Sequence, residues 1–147
     1  MKSLPKSSLA ALAVLSAFLI RAEPLSAQEV ADDSAAVVNA ARHWVEMLDA
    51  GETGAALDSA APLLRQMVGS AQNWDQFLGM ARADVPTPVQ RELIRYEADP
   101  KLQATPPGTY RRVAFRVGED PLVTETVVMA KTDTGWRAAM YGVRGPQ

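Results

Sequence analysis

Val123-Thr-Glu-Thr-Val-Val-Met-Ala130 runs into Lys131-Thr-Asp-Thr-Gly135 and then into Trp136-Arg-Ala-Ala-Met-Tyr-Gly-Val143. Two β-branched, partly alternating runs around a short Asp- and Gly-containing reversal specify a hairpin, because Gly tolerates the positive φ that a tight turn needs. Working upstream, the same chemistry recurs. Val89 to Ala98 and Gly108 to Val117 read as two further strands, separated by Asp99-Pro100 and Thr105-Pro106-Pro107-Gly108. Val85-Pro86-Thr87-Pro88 cannot continue a helix, since the residue before each proline is pushed to extended backbone.

Before that proline pair the spacing is helical. Val37, Ala41, Trp44, Val45 and Leu48 recur at three- and four-residue intervals, which predicts a first helix over Ala31 to Asp49. Asp32, Asp33 and Ser34 suit its positive N-terminal end, and Gly51 stops it. Thr53 is placed to cap a second helix, Gly54 to Ala61. Pro62 opens a third, Leu63 to Val68, and Ser70 caps a fourth carrying Trp74, Phe77, Leu78 and Ala81 on one face. Helices followed by antiparallel strands predict an α+β fold, with N-terminal helices packed on one face of a curved four-stranded antiparallel sheet.

Strand alternation gives the faces. Val113, Phe115 and Val117 form the core side of the second strand, leaving Arg112 and Arg116 outward. In the hairpin, a four-residue loop puts Val127 and Met129 on one side with Trp136, Ala138 and Met140. Arg137 and Tyr141 then fall on the other side with Thr126. A register shift of one residue would reverse this.

The N-terminus has the three parts of a secretory leader. Lys2 and Lys6 supply positive charge, Leu9 to Ile20 an apolar run of about twelve residues, and Leu25-Ser26-Ala27 a small residue at the cut. The alternative is an uncleaved anchor, against which a span needs roughly twenty apolar residues. The expected organisation is a signal peptide over residues 1–27 and one α+β domain over 28–147, exported to the periplasm or secreted by the general route, with no stable membrane anchor after cleavage.

The full chain of 147 residues carries a formal charge of −2, with 48% hydrophobic and 22% charged residues. Without the leader's Lys2, Lys6, Arg21 and Glu23, 12 basic and 16 acidic residues leave −4. A mildly acidic domain has no electrostatic reason to seek phosphate backbones, so no nucleic-acid partner is expected. The chain has no cysteine. That excludes a disulfide framework, a thiol nucleophile, a Cys-ligated metal and a lipidated N-terminal cysteine.

From Ala41 to Arg144 the chain resembles the domain-of-unknown-function family 4019, found in small exported bacterial proteins. The resemblance is carried by Trp44, Leu48-Asp49-Ala50-Gly51, Ala60-Ala61, Gln72-Asn73-Trp74 and Arg82. It continues through Pro107-Gly108-Thr109-Tyr110, Phe115, Glu125-Thr126-Val127, Gly135-Trp136 and Tyr141-Gly142-Val143-Arg144. Two departures stand out. Arg82 is followed by Ala83-Asp84-Val85-Pro86 where the family has Pro-x-Gly, and the second strand is shortened between Gly118 and Leu122. The resemblance implies export and a small roll like that of cystatins or nuclear transport factors, but no chemistry. It also marks Glu125 and Tyr141.

The candidate residues follow. His43 is the only histidine, with Glu46 three residues on; at helical spacing it lies away from the Trp44 stripe and reads as solvated surface. One histidine and no cysteine leave zinc without ligands, and no metal or cofactor site is expected. Trp44, Trp74 and Trp136 read as core pins and not as a ligand cage. Arg91, Arg95, Arg111, Arg112 and Arg116 read as a solvated sheet face interleaved with acids, or alternatively as an anion clamp. Glu125 and Tyr141, with Tyr96 and Arg95 beside them on the list of ligand-binding candidates, are the residues to watch; no catalytic residue is assigned. The functional expectation is a non-enzymatic domain that binds an unknown protein or small molecule. The alternatives are a roll-type enzyme using the Glu125/Tyr141 pair, and a homodimer through the outer sheet face bearing Arg112, Arg116, Arg137 and Tyr141.

Overall fold

The computed structural model describes residues 25–119 and 123–145, with side chains described from residue 33 onward. Most of the expected leader, and part of the Gly118 to Leu122 stretch, lie outside the described residues. Four strands, β1 (Arg91–Glu97), β2 (Tyr110–Val117), β3 (Val123–Thr132) and β4 (Gly135–Arg144), form one sheet in sequence order, each antiparallel to the next. Helices α1 (Leu25–Asp49), α2 (Thr53–Ser59), α3 (Pro62–Val68) and α4 (Ala71–Ala81) precede them in the chain. The fold is α+β, as the order of helical and alternating segments predicts.

The hydrophobic periods reappear as burial. Val37, Ala41, Trp44, Val45 and Leu48 of α1, Trp74 and Leu78 of α4, and Val113, Phe115, Val127, Met129 and Ala138 of the sheet form a single core. Each Val, Leu, Phe or Met side chain among them, removed from water, contributes about 1.5–3 kcal/mol. Trp44 Nε1 donates to the Ala56 carbonyl at 2.8 Å and Trp74 Nε1 to the Thr53 carbonyl at 3.0 Å. Both indoles therefore bind α2 to the helices on either side, besides filling the core.

Helix starts differ from the expectation. α1 begins at Leu25, because nothing between Leu25 and Ser34 opposes a helix. Asp33 accordingly sits within the helix instead of capping it, and its carboxylate faces Lys131 at 3.8 Å and Arg111 at 3.9 Å. Thr53 does not cap α2; its hydroxyl donates to Asp75 Oδ1 at 3.0 Å. Ser70 does cap α4, accepting from the Asn73 N–H at 3.2 Å, and Pro62 opens α3. Gly51, at φ +76°, ends α1 in the left-handed region that only glycine enters at little cost.

Two bulges set the sheet's faces. From Thr132↔Gly135 to Met129↔Ala138 the hairpin runs in the expected register, around a two-residue turn at Asp133-Thr134. The register then slips: Val128 pairs with Met140 and Val127 with Tyr141, leaving Ala139 as the extra residue. Beyond the slip every β4 side chain changes face relative to the uninterrupted alternation. Tyr141 therefore lies on the core side and Met140 on the outer side, the reverse of the expectation. A second bulge lies between Leu93 and Arg95 in β1. On the helix-covered side of β1 stand Arg91, opposite Val117, and Tyr96, opposite Val113.

Candidate functional site

Five polar side chains meet between the helical layer and the sheet. Asp49 is the last residue of α1, Arg82 the C-cap of α4, Arg91 the first residue of β1, Glu125 lies within β3 and Tyr141 within β4. Glu125 has no exposed surface at all, although every residue beside it on its face of β3 is apolar. Its carboxylate accepts from Arg91 Nε at 2.5 Å, Arg82 Nη1 at 2.6 Å and the Tyr141 hydroxyl at 2.6 Å. Arg82 Nη1 also donates to the Tyr141 oxygen at 2.7 Å. Asp49 closes the ring on the solvent side. It accepts from Arg82 Nη2 at 2.5 Å and from Arg91 Nη1 and Nη2 at 2.6 and 3.0 Å.

Two guanidiniums against two carboxylates make this network neutral. That balance offsets the cost of taking polar groups out of water. Burial alone would raise the Asp49 carboxyl, but hydrogen bonds and charge from Arg91, then Arg82, hold its pKa below the usual carboxylate range. Burial, followed by the adjacent Glu125 carboxylate, pushes the Tyr141 phenol well above its ordinary value. Burial also works against the charges of Arg82 and Arg91, yet the oxygens of Tyr141, Glu125 and Asp49 raise Arg82, and those of Asp49 and Glu125 raise Arg91, above the usual guanidinium value.

The space next to the network is occupied by rings. Tyr141 meets Trp44 edge-on at 5.4 Å between centroids, and Trp74 and Phe77 each at 6.3 Å. Trp74 stacks on Phe77 at 5.7 Å. Tyr141 thus spans two environments, its ring in the aromatic cluster and its hydroxyl in the ionic one. A general base needs room for a substrate proton within hydrogen-bond reach. Both oxygens of Glu125 accept from protein donors, and it has no open surface.

Of the four ligand-binding candidates, the fold brings Glu125 and Tyr141 into contact and separates the other two. Arg95 is exposed on the outer sheet face, opposite Ala114. Tyr96 lies on the covered face with its hydroxyl buried and without a hydrogen-bond partner among the described residues. Arg91 and Arg111 correct the reading of a solvated arginine face. Arg91 belongs to the buried network, and Arg111 donates to the Ala98 carbonyl at 2.5 Å and faces the Trp136 ring at 5.4 Å. Arg112 and Arg116 do point outward, paired with Glu97 (2.7 Å) and Glu92. His43 and Glu46 are exposed. Among the described residues no three His, Cys, Asp or Glu side chains are grouped to hold a metal, and no helix is long and apolar enough to cross a membrane.

Sequence reasoning passed over Asp49 and Arg82 as site residues, and read Arg91 only within the sheet-face arginines or an anion clamp. Separations along the chain between network partners of up to 59 residues leave no spacing signal. Asp49, Arg82, Glu125 and Tyr141 do all stand among the residues that carry the family resemblance. For Arg91 a weaker clue exists: it shares strand parity with Leu93, which faces Phe115.

A four-stranded meander under a helical layer, joined through a buried carboxylate held by two arginines and a tyrosine, defines a small α+β roll with an ionic core. The chain belongs to the protein family of unknown function DUF4019, whose model matches residues 40–141. No curated protein and no solved structure matches it.

Proposed function

We propose that this protein is an exported, non-enzymatic binding domain, in which the Glu125 network is structural and the outer face of the sheet is the contact surface. The observation that carries this reading is a trough of about 720 Å³ on that outer face, lined by strand residues alone. Its floor is small and polar, with Ala114, Thr126 and Gly142 aligned across β2, β3 and β4. Val128 and Met140 border it on one side and Thr124 and Arg144 on the other. The inner face is filled by rings and by a closed ionic network, which offers a ligand no entry to Glu125. Support for export is the leader pattern of Lys2, Lys6, Leu9 to Ile20 and the small residue Ala27.

Amide shift mapping by NMR, with isotope-labelled mature protein titrated with an extract of the cell envelope, tests the surface. Shifts grouped at Ala114, Thr126, Val128 and Gly142 are expected. Shifts centred on Arg82, Glu125 and Tyr141 would overturn the reading and favour chemistry at the inner network. N-terminal sequencing of the protein recovered from a periplasmic fraction tests export, with a start near Gln28 as the expected result.

A further inference from the structure

We infer that the outer sheet face takes an acidic, partly apolar segment of another polypeptide, laid across the strands; this rests on reading that face as the contact surface. The rows of the sheet set out its charges. Glu97, Arg112, Val128 and Met140 form one row, Arg95, Ala114, Thr126 and Gly142 the next, and Glu92, Arg116, Thr124 and Arg144 the third. Arg112 and Arg116 are each neutralised by the glutamate beside them in β1. Arg95 and Arg144 are exposed and form no ion pair among the described residues, so there the face carries two uncompensated positive charges at opposite edges of the sheet.

Three strand spacings and a one-row offset place the two Cα atoms roughly 15 Å apart, which an extended chain covers in about four or five residues. The domain as a whole is acidic, but beyond roughly 8–10 Å at physiological ionic strength that charge is screened, so the local positive sign governs contact. Between the two arginines the trough offers Thr124 and Thr126 hydroxyls, bordered by the half-buried Met140 and the exposed Ile94. That is the surface an alternating acidic and apolar peptide complements.

Other polyanions fit less well. The aromatic residue along the trough, Tyr141, turns its ring to the opposite face, toward Trp44, Trp74 and Phe77. Trp44, Trp74 and Phe115 are core residues. Among the described residues that line the trough, none turns a ring toward it for a single-stranded nucleic acid to stack on.

The test uses a fluorescent decapeptide of Val, Thr and Ser with two glutamates four residues apart, and its twin with glutamine at both places. Binding is measured to the mature protein and to the Arg95→Glu/Arg144→Glu variant, whose melting temperature should match the parent because both sites are exposed. The glutamate peptide should bind the parent about tenfold tighter than it binds the variant, with the contrast fading in high salt. Equal affinity for the two peptides, or for the two proteins, would overturn the inference. Parallel titrations with a polyuronate oligomer and with phosphatidylglycerol vesicles separate this outcome from failure of the surface reading. If either moves the Thr126 and Gly142 amides while the peptide does not, the peptide assignment falls and the surface stands. If none of the probes moves those amides, both fall. Dimerisation through this face would make a second copy the occupant and would also overturn the inference.

Discussion

Tyr141 donates to Glu125 Oε1 at 2.6 Å although the residues lie sixteen apart on adjacent strands and are not directly opposite each other. Val127 pairs with Tyr141 and Val143 with Glu125, so the bond is a diagonal one within a single face. It exists only because the Ala139 bulge turns Tyr141 to that face. Through Arg82, Arg91 and Asp49 the same bond ties the ends of α1 and α4 to β1, β3 and β4.

Removing the charge at the centre should be costly. Glu125→Gln keeps the shape but leaves Arg82 and Arg91 to share Asp49 alone, at a position with no exposed surface of its own. A loss of about 3–5 kcal/mol is expected, as when one partner of a buried ion pair is removed. Urea denaturation measures it; a loss below about 1 kcal/mol would show that the network relaxes into solvent.

Tyr141→Phe keeps the ring in its cluster and deletes one donor to Glu125 and one acceptor for Arg82. The expected cost is about 1–3 kcal/mol. The folded-state phenol pKa is raised above its ordinary value of 10.0. Tyr141 therefore contributes in full below pH 10, and its contribution is lost as pH rises beyond that. Stability measured from pH 8 to pH 11 should fall more steeply in the parent than in the phenylalanine variant. Parallel slopes would contradict the placement of the hydroxyl.

Acid reveals Asp49. Its folded-state pKa lies below the ordinary value of 3.8, so its contribution is complete above that value and disappears as pH falls through the folded pKa. Asp49→Asn should flatten the decline of stability on acidification below about pH 4, and lower stability at neutral pH. Chemical denaturation at a series of acidic pH values reads both effects.

Trp44 joins the helical layer to the network through its contact with Tyr141 and to α2 through Ala56. Trp44→Ala removes a large core side chain and leaves the Ala56 carbonyl with the Ser59 hydroxyl as its side-chain donor, for an expected loss of about 3–5 kcal/mol. An unchanged thermal melt would mean that the α1 stripe is not the core face.

Deleting Ala139 tests the bulge itself. Without the extra residue β4 either presents Tyr141 to the outer face or distorts the turn, and a loss of about 3 kcal/mol or more is expected. A deletion variant with parental melting and an intact tyrosine near-ultraviolet signal would show that the bulge does not set the side of Tyr141.

The elements were legible from local chemistry. Three- and four-residue spacing around Trp44 and Trp74, the Ser70 cap, Pro62, and the Asp133 to Gly135 reversal each act over a few residues, so each leaves its mark in a few residues. The sequence by itself therefore determined the α+β order, the core faces of α1, α4 and β2, and membership of the family. It did not determine the side of Tyr141, because a one-residue bulge inverts a period-two pattern without changing composition. Nor did it determine that Arg91 is buried while Arg95, four residues later, is exposed. An arginine enters a core only where carboxylates from other elements meet it, and Asp49 and Glu125 meet Arg91 across 42 and 34 residues of chain. Such a partner is a property of the folded molecule alone.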